Sequence, residues 1–142
     1  MQPIKSSGTG VAGNVTTSIT ADSRQRCVLY GQVVLTTDAT VANRRVVFRI
    51  TDKEGDTVFD SHSGAVVAAS QSNQHHEFMP GIFRETSFIG DALQVPIPMR
   101  CLLPVGYTLQ IIVENGVAGD SYDYSILAEY VPSAKGVGSP AP

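Results

Sequence analysis

His62, His75, His76 and Glu77 are the residues of this chain best suited to chemistry. Imidazole and carboxylate groups ligate zinc and carry protons. Their spacing argues against both roles. Neighbouring residues of an extended segment point to opposite faces, so His75 and His76 cannot readily share one ion. His75 and Glu77 share a face but lack a third ligand nearby, and the group reads as solvated polar residues at the start of a strand. Asp52, Glu54 and Asp56 around Gly55 offer oxygens to calcium, without the loop of about twelve residues that ends in a bidentate glutamate. The same residues suit a tight turn on conformational grounds alone, and Asn115 to Asp120 read the same way.

Gly8-Thr9-Gly10-Val11-Ala12-Gly13 matches the dinucleotide fingerprint letter by letter. That fingerprint works only between a strand and a helix N-terminus, where backbone amides meet the pyrophosphate. Here the β-branched run Val15-Thr16-Thr17 follows Asn14, so the match reads as accidental, within an arm. Cys27 and Cys101 have no motif spacing and read as free, buried thiols of a reducing compartment. Asn14-Val15-Thr16 is a glycosylation sequon, but no apolar leader follows Met1-Gln2-Pro3-Ile4-Lys5, so no sugar is expected on it. A nucleophile elbow, a Ser-x-x-Lys motif and a Cys–His–Asn set are all missing from the sequence. The sequence therefore assigns no catalytic, cofactor-binding or metal-binding residue and implies no cofactor.

Composition narrows the remaining classes. At 142 residues the chain is one domain long, with 42% apolar residues to fill a core. Charged residues make up only 16%, against the usual quarter or so, which leaves a mild surface suited to neighbours. The net charge is −3, and the densest basic cluster is the pair Arg44-Arg45. A binder of phosphate backbones needs a positive footprint, so nucleic acid is not expected as a partner. No apolar run approaches the roughly 18 residues of a membrane span, so a membrane is not expected either.

The elements that would position any site are strands. Alternation of period two marks Arg26–Thr36, Arg45–Thr51, Thr57–Ser61, Tyr107–Glu114 and Tyr122–Val131. Shorter candidates are Thr16–Thr20, Ala65–Ser70, His75–Phe78 and Ile82–Phe88, and Leu93–Leu103 is interrupted by Pro96 and Pro98. The turn Asp52 to Asp56 predicts a hairpin, and the loop containing Asn115-Gly116 predicts a second one between the last two strands. No helical stripe is sustained. The pattern predicts a single all-β antiparallel sandwich of about eight strands, jelly-roll or immunoglobulin-like in order. It would occupy 21–131, between an N-terminal arm, 1–20, and a Pro/Gly/Ser-rich tail, 132–142. Tyr107, Tyr124 and Tyr130 fall in register with aliphatics and are expected in the core, while Tyr30 and Tyr122 remain candidates for an exposed sugar-binding platform.

The segment Arg45 to Ser61 and the closing stretch Leu103 to Val131, with its Pro104-Val105-Gly106-Tyr107 entry to a strand, resemble small jelly-roll proteins that decorate or cement the capsids of tailed bacteriophages. The resemblance covers about half the chain and rests on style rather than a diagnostic motif. It implies a non-enzymatic virion protein made in the bacterial cytoplasm and placed on the capsid surface. Its implied partners are the major capsid protein and further copies of itself, as a dimer or trimer. The alternative is a receptor- or carbohydrate-binding module of a tail or fibre.

Overall fold

The computed structural model describes residues 3–11 and 17–132. They form ten strands and no helix. In order these are β1 (Pro3–Val11), β2 (Thr17–Thr20), β3 (Arg26–Thr36), β4 (Arg45–Thr51), β5 (Thr57–His62), β6 (Gln74–Pro80), β7 (Ala92–Ile97), β8 (Cys101–Leu103), β9 (Thr108–Glu114) and β10 (Ser121–Tyr130). They divide into a six-stranded sheet, ordered β1-β10-β3-β6-β7 with β8 also on β3, and a four-stranded sheet ordered β2-β9-β4-β5.

The pairing is that of a ribbon rolled up from its ends. The first strand pairs with the last, β1 with β10, then β2 with β9, β3 with β6, and β4 with β5, all antiparallel. This is the jelly-roll order. It corrects the expected closing hairpin: β9 and β10 are neighbours in sequence but lie in opposite sheets. The Asn115-Gly116 turn closes on itself through Gly116 N–H to the Val113 carbonyl, and the Asn115 side-chain amide donates to the Asn43 carbonyl, after which the chain crosses the sandwich. The sheet is also not purely antiparallel, since β6 and β7 run parallel.

Burial explains which segments became strands. On β9, Leu109, Ile111 and Val113 are buried and their alternates half-exposed. On β10, Tyr122, Ile126 and Ala128 are buried, with Asp123 and Leu127 exposed. The register of β3 against β10 shifts where Leu127 and Ala128 face Tyr30 and Val28. This bulge changes the inward phase from Val28 to Gly31, Val33 and Leu35, so β3 is buried on one face and half-exposed on the other. Between the sheets Phe48 and Phe78 meet with ring centroids 5.1 Å apart, and Val46, Ile50, Leu93, Val95, Leu103 and Leu109 complete the centre.

Three segments differ from expectation. Ala65–Ser70 forms a single bridge, Val67 with Arg44, and Ile82–Phe88 forms a loop rather than a strand. Leu93–Leu103 splits at Pro98-Met99-Arg100 into β7 and β8. The span read as an N-terminal arm contains β1 and β2. β1 was missed because Ser6, Ser7, Gly8 and Thr9 carry no apolar alternation; its place is fixed by pairing, with Gly8 opposite Tyr124. A side chain at Gly8 would meet the Tyr124 ring at 3.0–3.2 Å, so the glycine leaves that ring its space. The expected tail beyond Pro132 and the sequon Asn14-Val15-Thr16 lie outside the described residues.

Candidate functional site

The three histidines occupy three different environments. His62 lies on the four-stranded sheet, 3.9 Å from Asp60 and 3.8 Å from Glu114. His75 is half-exposed, near Gln32 and 3.9 Å from Asp91. His76 is not solvated as expected. It points inward and is completely buried, with its ring edge-on to Phe88 at 5.4 Å. Its Nδ1 faces only carbonyl oxygens, Gln74 at 3.1 Å and Val33 at 3.4 Å, so Nδ1 carries the hydrogen. Nε2 is buried without a partner among the described residues. Burial pushes the pKa of His76 down to about 4, against the opposing pull of the two carbonyls. His76 is a neutral core residue at neutral pH. Among the described residues, no three His, Cys, Asp or Glu side chains gather as a metal set.

The two acidic loops proved to be conformational devices. Asp52 Oδ1 accepts the N–H groups of Glu54 and Asp56, closing the β4–β5 turn around Gly55 at φ +89°. In the β9–β10 loop the carboxylate of Asp120 is buried and meets Arg44 in a two-pronged pair, Nε to Oδ2 at 2.8 Å and Nη2 to Oδ1 at 3.0 Å. Asp120 also accepts the N–H groups of Asp38 and Val117. Burial alone would raise its pKa, but these donors outweigh it and hold the carboxyl below its ordinary range. Arg44 completes its bonds on Asp38 Oδ1 and the Ala42 carbonyl. Gly119 must lack a side chain, because a Cβ there would collide with the Asp38 carboxylate. The network ties the β3–β4 loop to the β9–β10 loop, and no local signal announced it because its partners stand 76 residues apart.

The margin between β5 and β7 is built differently. β7 is the last strand of its sheet, and its outward backbone groups are all occupied. Ala92 exchanges bonds with Ile89, and Gln94 donates to Glu85 Oε1 at 2.7 Å while accepting the Glu85 N–H. Pro96 has no N–H, and its carbonyl accepts the Ser61 hydroxyl at 2.7 Å. The loop that does this capping, 81–91, pushes three large apolar side chains into water: Ile82 is 97% exposed, Phe83 73% and Ile89 72%. Ile82 stands between two shallow hollows. One, of about 160 Å³, is lined by Met79, Pro80, Phe83 and Pro96. The other, of about 350 Å³, is lined by Phe59, Arg84, Pro96 and Pro98. Contiguous exposed apolar surface of this kind marks interaction sites. Sequence reading had placed Ile82 and Phe83 in a strand; the available signal was the Pro80-Gly81 punctuation just before them.

A third hollow, about 490 Å³, lies at the foot of β10 beside Arg24, Arg100 and Val131. The Arg24 guanidinium stacks on the Tyr130 ring at 4.1 Å. All five tyrosines are buried or half-buried, and Tyr122, once a candidate for exposure, is 2% exposed with its hydroxyl 2.7 Å from Thr17 Oγ1. Cys27 and Cys101 are free, and burial pushes the Cys101 thiol up to about 12.

Fold and site together define a jelly-roll protein with an exposed apolar margin. No family model matches the chain, and no curated protein matches it. Among solved structures it is similar to a chain from "Crystal structure of the T13 IBDV viral particle reveals a missing link in icosahedral viruses evolution", with a TM-score of 0.36 and 17% identity. The match covers 90% of this chain and 31% of that one, so this chain spans about a third of its length.

Proposed function

We propose that this chain is a virion structural protein, a decoration or cement protein that binds an assembled capsid and stabilises it by bridging capsomers. The observation that carries the reading is the outcrop of Ile82 and Phe83 on the loop that caps the β7 edge. Apolar side chains that cost free energy in water, held on the loop that caps a strand whose backbone cannot pair further, suit a side-chain contact with a preformed surface. The work is binding, with no chemical step. A protein that binds only the assembled shell stabilises it by mass action, as RT ln(1 + [L]/Kd). The partner is the major capsid protein, as the resemblance to tailed-phage decoration proteins implies, and the location is the capsid surface.

The test is co-sedimentation of the purified chain with particles stripped of it and then refilled. Saturable, stoichiometric rebinding that raises the heat resistance of the particles is expected, and Ile82→Ser with Phe83→Ser should abolish it. Failure of the unaltered chain to bind the shell would overturn the cement role and favour the receptor-binding alternative.

A further inference from the structure

The two edges of the six-stranded sheet are finished differently. The β7 edge is closed by Glu85, Ile89, Ser61 and a proline, whereas β1, at the other edge, has no such cover among the described residues. β1 is nine residues long, longer than β7 by three, and pairs along its whole length with β10. Alternate residues of an edge strand direct unpaired N–H and C=O groups outward, and such an edge is a template for another strand. The usual guards against this are weak here: one lysine, Lys5, and a proline only at the first position.

We infer that the β1 edge is a self-association surface, on which a second copy of this chain lays its own β1 antiparallel about a twofold axis at Ser7. The sequence of β1 selects this occupant. Pairing all nine residues with a copy sets Pro3 opposite Val11, Lys5 opposite Thr9, Ser6 opposite Gly8, and Ser7 opposite itself. This register puts like faces together, because residues directly opposite in an antiparallel pair share a face. Over the central five residues Ser6 and Gly8 meet on the sandwich side, and Lys5, Ser7 and Thr9 on the outer side, so the middle of the seam is lined by small side chains and one lysine from each copy. The two Lys5 ammonium groups end four residues apart along the strands, roughly 14 Å, beyond the screening length of about 8 Å at physiological salt. The result is one continuous sheet across two molecules, held mainly by backbone hydrogen bonds. It leaves the Ile82 margin of each copy free, and it stands independently of the cement role.

Charge substitutions at Thr9 separate this dimer from effects on the fold. Within the chain Thr9 pairs with Asp123, whereas across the dimer it faces the other copy's Lys5. Thr9→Lys therefore favours the intramolecular pair and sets two like-charge pairs across the dimer, while Thr9→Glu does the reverse. Sedimentation equilibrium of the full chain should show a monomer–dimer equilibrium. Thr9→Lys should weaken it by roughly tenfold without lowering the melting temperature, and Thr9→Glu should tighten it. In a Cys27→Ser background, Ser7→Cys should give a covalent dimer on mild oxidation, while Val58→Cys on the opposite margin should not. A chain monomeric at all concentrations, as expected if a strand of another protein or its own tail covers β1, would overturn the inference. So would a dimer indifferent to the charge at position 9.

Discussion

The loop end held by Arg44 and the margin topped by Ile82 place opposite materials in unexpected positions. At the first, charged groups are shut inside the protein: Arg44 is 0% and Asp120 1% exposed. At the second, large apolar side chains stand in water. Each arrangement is costly alone and each is compensated differently. The buried ions compensate one another, through a two-pronged pair and four further bonds from or to Asp38, Ala42 and Val117. The exposed apolar groups have no compensation within the described chain. The difference separates residues that the fold depends on from residues that the fold leaves in water. Substitution should divide them cleanly.

The largest effect is expected at the closed end. Removing one partner of a buried pair leaves an uncompensated charge, which costs about 3–5 kcal/mol. Asp120→Ala leaves the buried Arg44 guanidinium with only Asp38 and the Ala42 carbonyl, and frees the N–H groups of Asp38 and Val117 from their acceptor. Urea unfolding should show a loss in that range. A loss under 1 kcal/mol would mean that water reaches Arg44 and that the contrast between the two regions is overdrawn.

A smaller, pH-dependent effect belongs to His76, whose ring supports Phe88 in the loop behind the apolar outcrop. Its folded pKa of about 4 lies below the 6.5 of the free side chain. Above pH 6.5 neither state binds the proton, and the residue contributes nothing to pH dependence. Between 6.5 and 4 the unfolded chain binds a proton that the folded chain refuses, so stability falls, by about 3 kcal/mol at pH 4. Asp120 runs with the same sign in a separate, lower window. Its pKa is lowered on folding from 3.8, so its contribution is present above that value and lost as pH falls through the folded pKa. Urea unfolding at intervals from pH 7 to 4 should show the His76 slope, and His76→Leu should flatten it. An unchanged slope in that variant would assign the acid sensitivity elsewhere.

The sequence was legible where one face of a segment meets the core. Arg26–Thr36 and Arg45–Thr51 were placed to the residue, because alternating Val, Leu, Phe and Ile record burial directly. It was misleading where a local signal competed with a distant one. Asn-Gly announces a hairpin, yet whether β9 and β10 pair is decided by β4 and β3, which claim them for opposite sheets. It was silent where position comes from pairing alone, as in β1, or from a contact across the whole chain, as in Arg44 with Asp120. The outcrop was half visible: Ile82 and Phe83 are apolar, and apolarity alone does not distinguish a core strand from an exposed loop.

The smallest effect is expected at Ile82 and Phe83, and its smallness is the informative part. An apolar group already 97% or 73% exposed gives up almost no buried surface when replaced, so Ile82→Ser and Phe83→Ser should each leave stability within about 0.5 kcal/mol. Phe78, in the same part of the molecule but fully buried against Phe48, should lose about 3–5 kcal/mol on change to alanine. Loss of particle binding with stability retained would locate the function of the outcrop outside the fold. If instead either serine variant destabilised the chain by more than 1 kcal/mol, the outcrop would be a covered part of the protein. The distinction between a self-compensating end and an uncompensated margin would then fail, and the proposed capsid contact would have to be sought on another face.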